Sequence, residues 1–324
     1  MYNQIKIFFI IISITSNAQV QIYDDTDVDN LTFANTRNVI NNLPNSSFKN
    51  RNLMKPKIFE PSEELSALVK CYWTLESPKE KTPERNTIVP DGCMKFIFHY
   101  GDLYKHYPEN GNCITLPKYF LIGQLTKPYE VEPTGETGTF FVCFHPNGFL
   151  PFTTIPIKEM ENTAVPLEKL FGQDGKEIGQ MILNANSTSE RINLIETFLL
   201  NRLTSTQTID HIVKSTVETI LTANGQLSVD ELSKQNNINS RQLVRKFSST
   251  IGLSPKQLSK TIRLQATLKT LLTKKITSFT DLAYENEYYD QAHFIKDFKE
   301  FTGLTPKEFY GDHLTMSLIF DSKK

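Results

Sequence analysis

The stretch Phe247-Ser248-Ser249-Thr250-Ile251-Gly252-Leu253-Ser254-Pro255-Lys256-Gln257-Leu258 recurs 51 residues later as Phe298-Lys299-Glu300-Phe301-Thr302-Gly303-Leu304-Thr305-Pro306-Lys307-Glu308-Phe309. The shared positions each have a local job. Glycine ends a helix because it tolerates φ > 0 at the C′ position. Ser or Thr then caps the next helix, Pro takes its first position, and Gln or Glu at the third closes a capping box. Ahead of each copy lies another helix start, Ser228-Val229-Asp230-Glu231 and, more weakly, Ser278-Phe279-Thr280-Asp281. Each copy therefore reads as helix, tight turn, helix, cap, helix: a duplicated helix-turn-helix.

In the first copy the spacing predicts helices over about 229–236 and 240–251, with Asn237 as a left-handed turn residue. Leu232, Ile238, Leu243 and Phe247 form its core, leaving Arg241, Val244 and Arg245 on the opposite face. In the second copy Leu282, Ala283, Tyr288, Phe294 and Phe298 point inward, and Gln291, Ala292, Ile295 and Lys296 outward. Arg and Gln near the start of a helix that fits a major groove suit bidentate contacts to guanine and adenine edges. Arg241, Val244, Arg245, Gln291, Ala292 and Lys296 are thus the candidate base readers. Lys246, Lys256, Lys299 and Lys307, with the backbone amides at the capped Ser254 and Thr305 helix starts, are the candidate phosphate contacts.

Charge supports this reading locally. The formal net charge of the 324 residues is −1, yet residues 228–275 carry ten Lys/Arg against two acids. Residues 276–324 carry five against nine. A basic stretch inside a neutral chain suggests a polyanion-binding face, strongest in the first copy.

The first half reads differently. Apolar runs at Leu68–Leu75, Lys95–Tyr100, Tyr119–Ile122 and Thr139–Phe144 lie between breakers such as Pro90-Asp91-Gly92 and Pro146-Asn147-Gly148, a strand pattern. Helical periodicity begins near Pro166, and Ser189-Glu190-Arg191 opens a further helix. The fold class expected is α+β: a β-rich domain over 54–205, a polar linker, and an all-α domain over 211–312 with two helix-turn-helix units joined by a long helix, then a tail over 313–324. Residues 1–53 read as an irregular or signal-like extension, since Lys6 precedes the apolar run Ile7–Ile12 and small residues follow. That run is too short to span a membrane. Met54 is the expected start. Cys71, Cys93, Cys113 and Cys143 form no C-x-x-C pair and read as reduced core thiols. Trp73, Phe96, Phe98, Phe141 and Phe144 read as strand core rather than pocket lining.

Residues 211–312 resemble the DNA-binding module of the AraC/XylS family of bacterial regulators. The carriers are Leu282-Ala283, Tyr288, Asp290-Gln291-Ala292-His293-Phe294, Phe298-Lys299 and Gly303-Leu304-Thr305-Pro306, with Arg263-Leu264-Gln265-Ala266 resembling the start of the helix that joins the two units. Glu287 stands where the family places Gly in the turn, and Tyr310-Gly311 ends the module where an Arg is common. Residues 54–205 resemble an uncharacterised regulatory domain found ahead of such modules, through Tyr72-Trp73-Thr74-Leu75-Glu76, Pro90-Asp91-Gly92-Cys93, Phe120-Leu121-Ile122-Gly123 and Phe144-His145-Pro146-Asn147-Gly148.

The resemblance implies a non-enzymatic, sequence-specific transcription factor in the cytoplasm, associated with the nucleoid. Its implied partners are promoter DNA, RNA polymerase, a small-molecule effector and a second copy of the chain, with no membrane and no cofactor. No G-x-S-x-G, Walker or Rossmann pattern gives a hydrolase, NTPase or dehydrogenase a foothold. Two rival readings stand beside it. An alkyl-accepting repair fusion needs closely grouped cysteines, and here they lie 20 to 30 positions apart; a Cys93/His99/Cys143/His145 metal site is a looser version of the same idea and is not expected. A non-catalytic envelope protein would follow from a genuine export signal.

Overall fold

The computed structural model describes residues 10–15, 20–24, 57–79, 81, 83, 85–203, 210–273 and 279–310. Its first part is two six-stranded antiparallel sheets. One has the order β2(Val20–Asp24), β1(Ile10–Thr15), β5(Asn86–Ile88), β10(Tyr129–Pro133), β7(Tyr104–His106), β8(Ile114–Thr115). The other has the order β12(Ala164–Pro166), β9(Tyr119–Ile122), β6(Lys95–His99), β11(Thr137–Phe144), β4(Val69–Ser77), β3(Lys57–Phe59). Within the stretch read as an irregular or signal-like extension, β1 and β2 form a hairpin, and β1 also pairs with β5. The run Ile10-Ile11-Ile12 is β-branched, which suits an extended backbone.

Strand alternation builds two cores from one sheet. Tyr72 on β4, Phe96 and Phe98 on β6, and Phe140, Val142 and Phe144 on β11 face the helices α1(Leu167–Phe171), α2(Gln173–Asn184) and α3(Thr188–Arg202). They pack there against Leu167, Ile178, Ile182, Ile195 and Leu199. On the other face Phe120 and Ile122 meet Tyr129 and Val131 of the opposite sheet. Four of the five aromatics read as core are buried, Trp73, Phe96, Phe98 and Phe144, while Phe141 is half-buried and stacks on Trp73 with centroids 3.7 Å apart. Helix α3 starts one residue earlier than the sequence suggests, because Ser187 is the cap that accepts from the Glu190 amide. Its Glu196 carboxylate accepts from the Ser62 amide and the Tyr72 hydroxyl, fixing the helix on the sheet.

All four cysteines are free thiols. Cys93 and Cys143 are buried, while Cys113 lies exposed and departs from the core expectation. Among the described residues no group of three His, Cys, Asp or Glu is arranged to hold a metal, and no helix is long and apolar enough to cross a membrane.

The second part is all helical: α4(His211–Thr222), α5(Val229–Gln235), α6(Ser240–Ile251), α7(Pro255–Thr273), α8(Phe279–Glu285), α9(Gln291–Thr302) and α10(Pro306–Tyr310). The long joining helix begins at Pro255, not near Arg263. The third helix of the first unit and the connector are one element, since nothing after the Ser254-Pro255 cap interrupts the periodicity. Leu258 and Ile262 of α7 belong to the first unit's core, Leu264 and Leu268 to the second unit's. Positions 262 and 264 lie about 200° apart around a helix, so one rod serves two cores.

Candidate nucleic-acid interface

The exposed face of α6 is set by capping at both ends. Asn239 accepts from the Gln242 amide, and Gly252 closes the helix at φ 82°. Asp290 and Gly303 (φ 79°) do the same for α9. With these ends fixed, Leu243 and Phe247 point inward on α6, and Phe294 and Phe298 on α9. Arg241, Val244 and Arg245 lie exposed on α6, with Val244 37% exposed despite being apolar. The 51-residue offset places Ala292 and Lys296 at the positions of Arg241 and Arg245, both exposed, as is Gln291. Ile295, the counterpart of Val244, is half-buried against the second core instead of facing outward.

The turns ahead of these helices differ by one residue. The first helices of the units are offset by 50 positions and the second helices by 51. Asn237 (φ 51°) and Glu287 (φ 53°) are the left-handed residues, and Ile238 and Tyr288 turn inward behind them. The inserted residue is Tyr289, 87% exposed beside the start of α9. Sequence reasoning overlooked it, although a Tyr-Tyr pair with only one core position left the second ring without a place inside.

Several basic groups counted toward the charged face are used within the fold. Lys246 pairs with Asp210, the cap of α4, and is half-buried. Its hydrogen bond holds the Asp210 carboxyl below the usual range. Lys260 lies 3.0 Å from Asp297 and 2.8 Å from Glu300. Burial draws the Lys260 ammonium down, and its bonds to Glu300 and Asp297 overcome this and raise it. Arg263 donates to the Gly225 carbonyl at 3.1 Å and lies over the Tyr288 ring. Lys256, Lys299 and Lys307 remain exposed.

The capped helix starts also depart from expectation. The Ser254 amide donates to Gln257 Oε1 at 3.0 Å, and the Thr305 amide to Glu308 Oε2 at 2.7 Å. Neither amide is free. That second bond holds the Glu308 carboxyl below its ordinary range, placing a negative charge where a phosphate was expected.

Residues 232–311 match the family described as a helix-turn-helix domain, and residues 57–166 a domain of unknown function, DUF6597. Uncharacterized HTH-type transcriptional regulators of Staphylococcus aureus strains MSSA476 and MRSA252 are each 34% identical over 86 residues. That match covers 26% of this chain and 11% of each relative. Among solved structures, ToxT from Vibrio cholerae is 12% identical, with 76% of this chain and 98% of that one covered at a TM-score of 0.42. The AraC-like transcriptional activator CuxR is 13% identical, with 66% and 86% covered at 0.30. The chain thus matches a helix-turn-helix domain family behind a domain of unknown function, and over 86 residues it is similar to uncharacterized HTH-type transcriptional regulators, spanning only about a tenth of their length.

Proposed function

We propose that the chain binds promoter DNA through α6 and α9, each lying in a major groove, and regulates transcription there without catalysing a reaction. The observation that carries this is the register of the two helices. Arg241 and Arg245 on one, and Ala292 and Lys296 on the other, occupy the same exposed positions behind the same caps. Arg241, Val244, Arg245, Gln291, Ala292 and Lys296 are assigned to base edges, and Lys256, Lys299 and Lys307 to phosphates. Lys246 and the Ser254 and Thr305 amides have their bonds within the fold, which argues against the phosphate role expected of them. Tyr289 is assigned to the sugar-phosphate edge beside α9, where an exposed ring ahead of a recognition helix finds apolar sugar faces.

On this reading residues 54–205 form a regulatory domain that answers to a small-molecule effector or pairs two copies. The protein works in the cytoplasm with RNA polymerase, and residues 211–312 are the reader. Selection from a random-sequence duplex pool with the full chain tests the reading. Enrichment of one site with two short conserved blocks supports it, and a pool that stays random refutes it.

A further inference from the structure

The turn Val89-Pro90-Asp91-Gly92-Cys93 belongs to the β-rich domain by sequence, yet its two ends are built into the two helix-turn-helix units. Val89, 2% exposed, packs in the second unit's core with Leu264, Leu268 and Tyr288. Cys93, 3% exposed, packs in the first unit's core with Leu258 and Ile262. Between them the Pro90 carbonyl accepts from Gln265 Nε2 of α7 at 2.8 Å, a buried bond across 175 positions. Gly92 sits at φ +78°, where a Cβ would come within 3.0 Å of Leu258 Cδ1.

The turn is rigid from behind. The Asp91 carboxylate meets Lys95 Nζ at 2.6 Å and accepts from the Cys93 amide, both side chains being almost fully buried. Gln124 Nε2 donates to the Gly92 carbonyl at 3.1 Å. Two further contacts fall at equivalent points of the repeat. A Cβ at Gly252 would lie 2.9 Å from Ile157, and one at Gly303 would lie 3.8 Å from Pro128.

We infer that residues 89–93 are a positioning element for DNA reading: a wedge, held by the β-rich domain, that sets the separation and rotation of the two recognition helices. The geometry requires little else. Both units pack on one rod, where Arg263 reaches the Gly225 carbonyl on one side and the Tyr288 ring on the other, and the turn adds a second tie between the two cores. Val89 and Cys93 are four positions apart on one stiff turn and occupy different cores. Rocking one unit against the other would withdraw one of these side chains from its core or break the Gln265–Pro90 bond. The β-rich domain thereby selects which spacing of base contacts the reader accepts. This inference rests on the DNA-reading proposal above.

The test uses the full chain on the duplex selected by the wild type, and on the same duplex with one base pair inserted between the blocks. An insertion turns and displaces the second block by about a tenth of a turn and about 3.4 Å. The wild type should lose about tenfold or more in affinity, the order expected when one unit's base contacts are mismatched. Gln265→Leu, close in volume, and Val89→Ala should bind the native spacing more weakly and lose only about threefold or less on insertion. Val165→Ala, which trims the sheet–helix core away from the wedge, should keep the wild-type discrimination. Thermal unfolding separates loss of fold from loss of spacing, and Gln265→Leu decides should Val89→Ala not fold. Folded wedge variants that discriminate spacing as the wild type does overturn the wedge alone. A wild type that selects no two-block site overturns the DNA reading and the wedge with it.

Discussion

Lys260 on α7 and Asp297 on α9 lie 3.0 Å apart, and the Asp297 side chain is only 5% exposed. This pair joins the connecting helix to the second recognition helix, and it changes how the charge of the module is read. The basic stretch over 228–275 thus lends a cation to the acidic stretch over 276–324, so the two units differ less at their surfaces than in their composition.

Removing the cation leaves a buried carboxylate without its main partner, which is costlier than losing an exposed pair. Lys260→Met should destabilise the chain by about 2 kcal/mol or more in urea titration. Glu300→Ala, which removes only the exposed partner, should change stability by less than about 1 kcal/mol.

Specificity and affinity should separate by residue. Arg245→Ala should weaken binding to the selected site by about 1–3 kcal/mol, far more than to random duplex. Lys256→Ala should weaken both alike and make the dependence on salt shallower by about one unit of slope. Gln291→Ala should alter sequence preference with little change in that slope. Titrations at several salt concentrations decide it, and an Arg245→Ala chain weakened equally on both duplexes would place the recognition face elsewhere.

Glu287 holds a left-handed backbone conformation at φ 53° that a branched-free acidic side chain adopts at a cost, and its side chain is exposed. Glu287→Asn should stabilise the chain by about 0.5–1 kcal/mol, seen as a rise in Tm. An unchanged or lower Tm would show that the turn carries no such strain.

Burial lowers the His99 imidazole to about 4, and burial together with the Lys70 charge lowers His145 to about 4. Both values lie below the 6.5 of an unfolded chain, so the unfolded state binds protons first. Stability is therefore full above pH 6.5 and falls as pH drops toward 4. For His99, the more deeply buried, the loss approaches about 3 kcal/mol by pH 4. Urea titrations at pH 7 and pH 4.5 should show the fall, and His99→Gln should flatten it.

What the sequence disclosed was local. The caps at Asn239 and Asp290 and the glycines at 252 and 303 act within a few residues, so the repeat and the inward positions could be read directly. The strands could be located but not ordered. The pairing of β11 with both β4 and β6 joins residues about forty to seventy positions apart, which no short pattern specifies. Within the candidate interface, Arg241 and Arg245 were legible because helical spacing alone puts them outside. Lys246, expected at phosphate, and Lys260 and Arg263, counted only in the basic stretch, have partners that no local pattern shows, because Asp210, Asp297 and the Gly225 carbonyl come from elsewhere in the chain. The wedge was invisible for the same reason: Pro90 and Gln265 meet only in the folded chain.

The central claim is that two helices of one chain read DNA together. Hydroxyl-radical footprinting of the full chain on its selected duplex tests it most directly. The account predicts two protected blocks per protomer, on one face of the duplex and about 34 Å, one helical turn, apart. Arg245→Ala should weaken one block and Gln291→Ala the other. A single protected block, or protection that neither substitution changes, would contradict it.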